Sequence, residues 1–137
     1  MGRILAIDYG KKRTGLAVTD PLQISTNGLD TVPTEKLMGF LTDYLTDETV
    51  ETLVIGEPLR LNDQPSAVEK DIQKFIKKVK KKFPDLKIDR EDERFTSKMA
   101  VQTMVAGGVK KKKRRSKELV DKVSATLILQ SYLNSSI

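Results

Sequence analysis

Ile4-Leu5-Ala6-Ile7 is an unbroken apolar run that stops abruptly at Asp8-Tyr9-Gly10, and a second run, Leu16-Ala17-Val18, follows the basic turn Lys11-Lys12-Arg13-Thr14-Gly15. Short apolar runs bounded by turn residues predict buried strands. The pattern therefore predicts a strand that delivers Asp8 to its tip, a tight turn and an antiparallel return strand. Leu22 to Val32 alternates enough to predict a third strand, interrupted at Asn27-Gly28. Pro33-Thr34 predicts a helix start with Thr34 as N-cap, and Leu37, Phe40, Leu41, Tyr44 and Leu45 then recur at helical spacing on one face.

Leu53-Val54-Ile55-Gly56 reads as another buried strand, followed by a proline-rich polar loop from Glu57 to Ser66. That loop lies after a strand tip and before a helix, where open α/β sheets usually keep their sites. The helix is predicted from about Ala67 to Lys82. Its core stripe is Val68, Ile72, Phe75, Ile76, Val79 and Phe83, with Lys70, Lys74, Lys77, Lys78 and Lys81 read as a solvated face. Pro84 stops it. Leu86 to Arg90 alternates as a strand does and runs into Glu91-Asp92-Glu93-Arg94. A further helix is expected from Thr96 or Ser97 through Met104, closed by Gly107-Gly108. After six consecutive cations, Lys110 to Arg115, Ser116 is the expected N-cap of a final helix carrying Leu119, Val120, Val123, Leu127, Ile128, Tyr132 and Leu133. Strands first and helix–strand alternation afterwards predict one α/β domain over residues 1–137, a mixed central sheet with helices on both faces.

Composition narrows the chemistry. With 137 residues, 38% hydrophobic and 32% charged, the chain can bury a core without disulfide staples. No stretch has the apolar length of a membrane span. A strand that begins at once leaves no room for a signal peptide, so a cytoplasmic protein is expected. The sequence contains neither cysteine nor histidine, which excludes thiol nucleophiles, imidazole acid–base catalysis and zinc sites built on either. Catalysis must come from carboxylates, lysines, hydroxyls or hard cations such as Mg²⁺ or Mn²⁺ held by oxygen. The net charge of +6 points to a polyanionic partner.

Three acids stand out. Asp8 ends the first strand, Glu93 or a neighbour ends a later one, and Asp121 lies in the first turns of an otherwise apolar helix. Each has a structural explanation: Asp8 as a turn aspartate bonding a backbone N–H, Glu93 paired with Arg90 or Arg94, and Asp121 favoured by the helix dipole. Together, in a protein without histidine, they make an oxygen-ligand site for two Mg²⁺ or Mn²⁺ ions suited to phosphodiester hydrolysis. Strand alternation lets only one of Asp92 and Glu93 point into such a site, and Glu57 is a fourth acid near a strand tip.

The chain resembles the YqgF/RuvX family, relatives of the RuvC Holliday-junction resolvase with a ribonuclease H-like fold. The matching blocks are Asp8-Tyr9-Gly10 with Arg13 to Asp20, Ile55-Gly56-Glu57-Pro58-Leu59, Asp92 to Ser97, and Val120 to Ala125 with Ile128 to Leu133. They span essentially the whole chain in the family's order, with a departure at Glu57, where members usually carry leucine. The resemblance implies a nuclease maturing the 5′ end of precursor 16S rRNA in ribosome biogenesis, with Asp8, Glu93 and Asp121 as metal-binding catalytic acids. On that basis Asp8 is expected to bridge the metals, with Glu93 and Asp121 each holding one side.

Lys11, Lys12 and Arg13 beside Asp8 are expected on the substrate phosphates, and Arg94 on Glu93 or a phosphate. Lys110, Lys111, Lys112, Lys113, Arg114 and Arg115 would supply salt-sensitive attraction to the nucleic-acid backbone. Three rivals differ in class. One is a resolvase cutting four-way DNA junctions, expected to be a symmetric dimer. Another is an actin-like ATPase lobe, disfavoured because two lobes are needed to enclose nucleotide and the turn lacks a P-loop ending. The third is a non-catalytic RNA-binding factor that joins ribosomal particles.

Overall fold

The computed structural model describes residues 2–58, 67–92 and 117–135. Its five strands are β1 (Arg3–Asp8), β2 (Arg13–Thr19), β3 (Thr26–Pro33), β4 (Val50–Glu57) and β5 (Lys87–Asp92). They form one sheet in the order β3-β2-β1-β4-β5. β2 runs antiparallel to both β1 and β3, whereas β1, β4 and β5 are parallel. The helices are α1 (Leu37–Asp47), α2 (Glu69–Lys82) and α3 (Lys117–Ser135). No helix among the described residues is long and apolar enough to cross a membrane.

Period-two alternation divides the central strands between two cores. Leu5 and Ile7 of β1, Leu16 and Val18 of β2, and Leu53 and Ile55 of β4 face α1 and α2, meeting Leu37, Leu41, Ile72, Phe75, Ile76 and Val79. Ile4, Ala6, Ala17 and Val54 face the other way, against Ala125, Ile128 and Leu129 of α3. The expected mixed sheet with helices on both faces is what the chain forms.

Three local expectations change. The third strand begins at Thr26 instead of Leu22, because the Asp20 carboxylate accepts the backbone N–H groups of Leu22, Ile24 and Ser25 at 3.3, 2.8 and 2.8 Å. An aspartate that captures successive amides favours a loop over a ladder. Thr34 does not cap α1. Its hydroxyl donates to the Gly10 carbonyl at 2.6 Å and accepts from the Thr14 hydroxyl at 2.9 Å, and a single 3₁₀ turn, Thr34–Lys36, precedes the helix. The stripe of α3 holds in part, with Ile128 buried and Tyr132 and Leu133 packed beside it, and is otherwise displaced. Ser124, Ala125, Ile128 and Leu129 are buried, whereas Val123 and Leu127 are only half-buried. The α2 stripe is as expected, with Ile72, Phe75, Ile76 and Val79 buried and the five lysines exposed. The expected helix from Thr96 or Ser97 to Gly108 and the cap at Ser116 lie outside the described residues.

One clamp fixes the parallel half of the sheet. Arg90 of β5 donates through Nη1 and Nη2 to both carboxylate oxygens of Glu69, at 2.9 and 2.8 Å. It also donates to the carbonyls of Ile55 and Gly56, at 3.1 and 3.0 Å. A bidentate guanidinium thereby ties the end of β4 to the start of α2. These bonds hold the Glu69 carboxyl below its ordinary range. Arg90 is thus committed to Glu69, on the α2 side.

Candidate active site

Asp8 follows Ile4 and Ala6 in the strand alternation, so it belongs to the face that α3 covers. Across the ladder it pairs with Gly15 of β2. Gly15 is also where α3 meets the sheet. A Cβ placed there would lie 2.1 Å from the Asp121 carbonyl oxygen and 3.1 Å from the Asp121 Cβ. Only glycine permits so close an approach, the usual meaning of a glycine inside a strand. Asp8 and Asp121 consequently flank one residue. With cross-strand Cβ atoms about 5 Å apart, the two acid Cβ atoms are at most roughly 9 Å apart.

Arg13 completes this corner. Two positions before Gly15 and on the same face, it donates from Nε to Oδ2 of Asp121 at 3.1 Å, with both side chains partly buried. The pair joins residues 108 positions apart. Arg13, expected on substrate phosphates, is found paired with Asp121. Lys11 and Lys12 are exposed on the β1–β2 turn beside Asp8, as expected.

The other acids sort by strand parity. Asp89 accepts the Tyr132 hydroxyl at 2.5 Å and Glu91 accepts the Ser131 hydroxyl at 2.7 Å, so both face α3. Arg90 faces α2, and Asp92, two residues on, shares its parity. Glu57 pairs with Asp92 across β4 and β5 and has the parity of Leu53 and Ile55. Glu57 and Asp92 therefore belong to the α2 side by alternation, away from Asp8 and Asp121.

Glu93, Arg94 and the run Lys110 to Arg115 lie outside the described residues. Among the described residues no three acids gather as a metal-ligand group; the structure brings together Asp8 and Asp121. Their donor set is carboxylate oxygen alone, which suits Mg²⁺ or Mn²⁺. Arg13 supplies one positive charge to Asp121 at this corner. Gly15 was missed as a site-forming residue, although a glycine between Thr14 and Leu16 in a β-rich run was the available signal. The Arg13–Asp121 pair has no local signature.

The Holliday junction resolvase family model RuvX matches residues 2–135. A protein of Christiangramia forsetii named "Putative pre-16S rRNA nuclease" is 59% identical over 133 residues, covering 97% of this chain and 98% of its own. One of the same name from Flavobacterium psychrophilum is 56% identical over 137 residues, the full length of both. Among solved structures, Thermus thermophilus RuvC in complex with a Holliday junction substrate superposes with a TM-score of 0.54 at 18% identity, covering 98% of this chain and 96% of that one. That likeness is one of fold, the ribonuclease H-like sheet with its antiparallel second strand. Matched over nearly its whole length, the chain belongs to the RuvX family.

Proposed function

We propose that the chain is a metal-dependent endonuclease that hydrolyses phosphodiester bonds at the 5′ end of precursor 16S rRNA, acting in the cytoplasm on ribosomal particles. The observation that carries this reading is the meeting of Asp8 and Asp121 at Gly15, in a chain whose relatives are named for that substrate. Asp92 belongs by alternation to the α2 side, away from Asp8 and Asp121, which leaves Glu93 as the third acid of this reading. Asp8, Glu93 and Asp121 would hold Mg²⁺ or Mn²⁺, two ions in all. When bound, such ions lower the pKa of water and offset the charge that develops on the phosphate.

The chain's own residues supply the rest. Arg13 holds Oδ2 of Asp121 through one charge-assisted bond and offsets the repulsion between two neighbouring acids. Lys11 and Lys12 offset phosphate charge beside Asp8, and Arg94 would orient Glu93 or clamp a phosphate. Lys110 to Arg115 draw in the backbone without reading sequence. The description of the family model supports a second reading, cleavage of four-way DNA junctions, because a site of carboxylates and cations recognises a phosphodiester and not a base.

The test offers wild type and Asp8→Asn both a precursor 16S rRNA 5′ fragment and a four-way DNA junction, with Mn²⁺, Mg²⁺ or EDTA. Metal-dependent cutting of the RNA by wild type alone is expected, with the variant's fold unchanged by circular dichroism. Cutting of the junction alone transfers the function to recombination. Salt-sensitive RNA binding without cutting favours the assembly factor. Normal cleavage by Asp121→Asn would remove that acid from the site.

A further inference from the structure

One residue beyond Asp8 the alternation reverses, and Tyr9 turns to the opposite side of the sheet, where it packs with the α1/α2 core. It borders a groove of about 410 Å³ between the β1–β2 turn, the start of α1 and the exposed side of α2, within the size range of small-ligand clefts. The Tyr9 ring is braced by Phe75, with centroids 5.5 Å apart and planes tilted by 42°. Lys11 approaches from the turn, and Lys74 and Lys78, one helical turn apart, approach from α2. Lys70, Lys77 and Lys81, on the same lysine-rich helix, do not line it.

The groove is not a uniform cationic track, because Glu35 and Asp71 line it as well. Carboxylates oppose bare phosphate but accept hydrogen bonds from ribose hydroxyls and exocyclic amines. An aromatic face, three ammonium groups and two acceptors make a set of contacts matched to a whole nucleotide. Base–aromatic stacking of this kind tolerates any base.

We propose that this groove holds one unstacked nucleotide next to the cleaved bond, its base against Tyr9 and its phosphate among Lys11, Lys74 and Lys78. The assignment rests on the nuclease reading above and extends it. A strand with one phosphate at Asp8 crosses the tip of β1 and enters the groove with its adjacent nucleotide. The single-stranded form is therefore the one the protein grips, and a paired substrate must open there.

The experiment measures binding of a short single-stranded RNA carrying 2-aminopurine, using full-length protein in EDTA so that nothing is cut. Lys74→Glu/Lys78→Glu is compared with Lys77→Glu/Lys81→Glu, which makes the same charge change on exposed positions of the same helix. The first pair is expected to lose about tenfold or more in affinity and to flatten the salt dependence by about 1.4 in log–log slope. The second is expected to stay within about twofold. Quenching of 2-aminopurine is expected to survive Tyr9→Phe and to vanish in Tyr9→Leu. Equal losses in the two lysine pairs, or no loss in either, overturn the groove assignment. If wild type cuts and binds nucleic acid while the pairs behave alike, only the groove falls; if wild type does neither, the nuclease reading falls first.

Discussion

A methyl group at position 15 would collide with the backbone of the helix that carries Asp121. Gly15→Ala places a Cβ 2.1 Å from a carbonyl oxygen, and backbone cannot step aside as a side chain does. At Gly28 the same substitution meets side chain and not backbone, the Cγ and Cδ of Lys122 at 2.8 Å and the Thr126 hydroxyl at 3.6 Å. Gly15→Ala is therefore expected to cost about 1–3 kcal/mol in urea unfolding and to lower cleavage at least about a hundredfold, since small misplacements of catalytic groups have that effect. Gly28→Ala, which needs only the Lys122 side chain to shift, is expected to cost less stability than Gly15→Ala and to leave cleavage within about twofold. At this scale the sequence disclosed what a residue carries but not whom it meets. Asp8, Asp121 and the basic turn were legible as chemistry. The Arg13–Asp121 pair, the Thr34 bond to Gly10 and the placement of Lys11, Lys74 and Lys78 around one groove are tertiary arrangements that no local pattern encodes.

Among the elements, the Arg90 clamp decides how β4, β5 and α2 sit together. Its loss leaves Glu69 partly buried beside two carbonyls without their guanidinium, so Arg90→Gln is expected to cost about 2–3 kcal/mol. Adding Glu69→Gln should recover part of that loss, a coupling readable in a double-mutant cycle. Elements with regular apolar spacing were the most legible. The α2 stripe and the strands of the parallel core followed from periodicity alone. The α3 stripe followed only in part, at Ile128, Tyr132 and Leu133, because its other buried positions are set by how closely it approaches a sheet face made of Gly15, Ala17 and Ala6. Alanine and serine fit such a face, and a reading that weighs apolar bulk passes over them. The start of the third strand was lost to Asp20, whose carboxylate organises residues 20–25 before a ladder can form.

Across the whole molecule, titration bounds the range of stability. Arg90 holds the Glu69 carboxyl below its ordinary 4.5, and the amides of Ser25, Ile24 and Leu22 hold that of Asp20 below its ordinary 3.8. A carboxyl lowered on folding adds stability above its unfolded pKa and loses it as pH falls through the folded value. The urea midpoint is accordingly expected to decline below about pH 4.5 and further below 3.8. Burial, and donation to Asp89, push the Tyr132 phenol up to about 12. Its contribution is complete below the ordinary tyrosine value of 10.0 and is lost as pH rises toward 12. The alkaline limb of the same titration, followed to pH 12, is the measurement that checks it.

The two acids stand on separate elements of the fold. Asp8 is rooted in β1, the central strand, whereas Asp121 rides on α3, which docks on the opposite face from α1 and α2 through Ala125, Ile128 and Leu129. A helix can open locally while the body it rests on stays folded. Cleavage is expected to be lost over the urea range in which native-state hydrogen exchange shows the α3 amides opening, even where those of Leu5, Ile7 and Leu53 remain protected. Each such opening parts one acid from the other, so the seating of one helix, and not the stability of the sheet, bounds the working range of the enzyme.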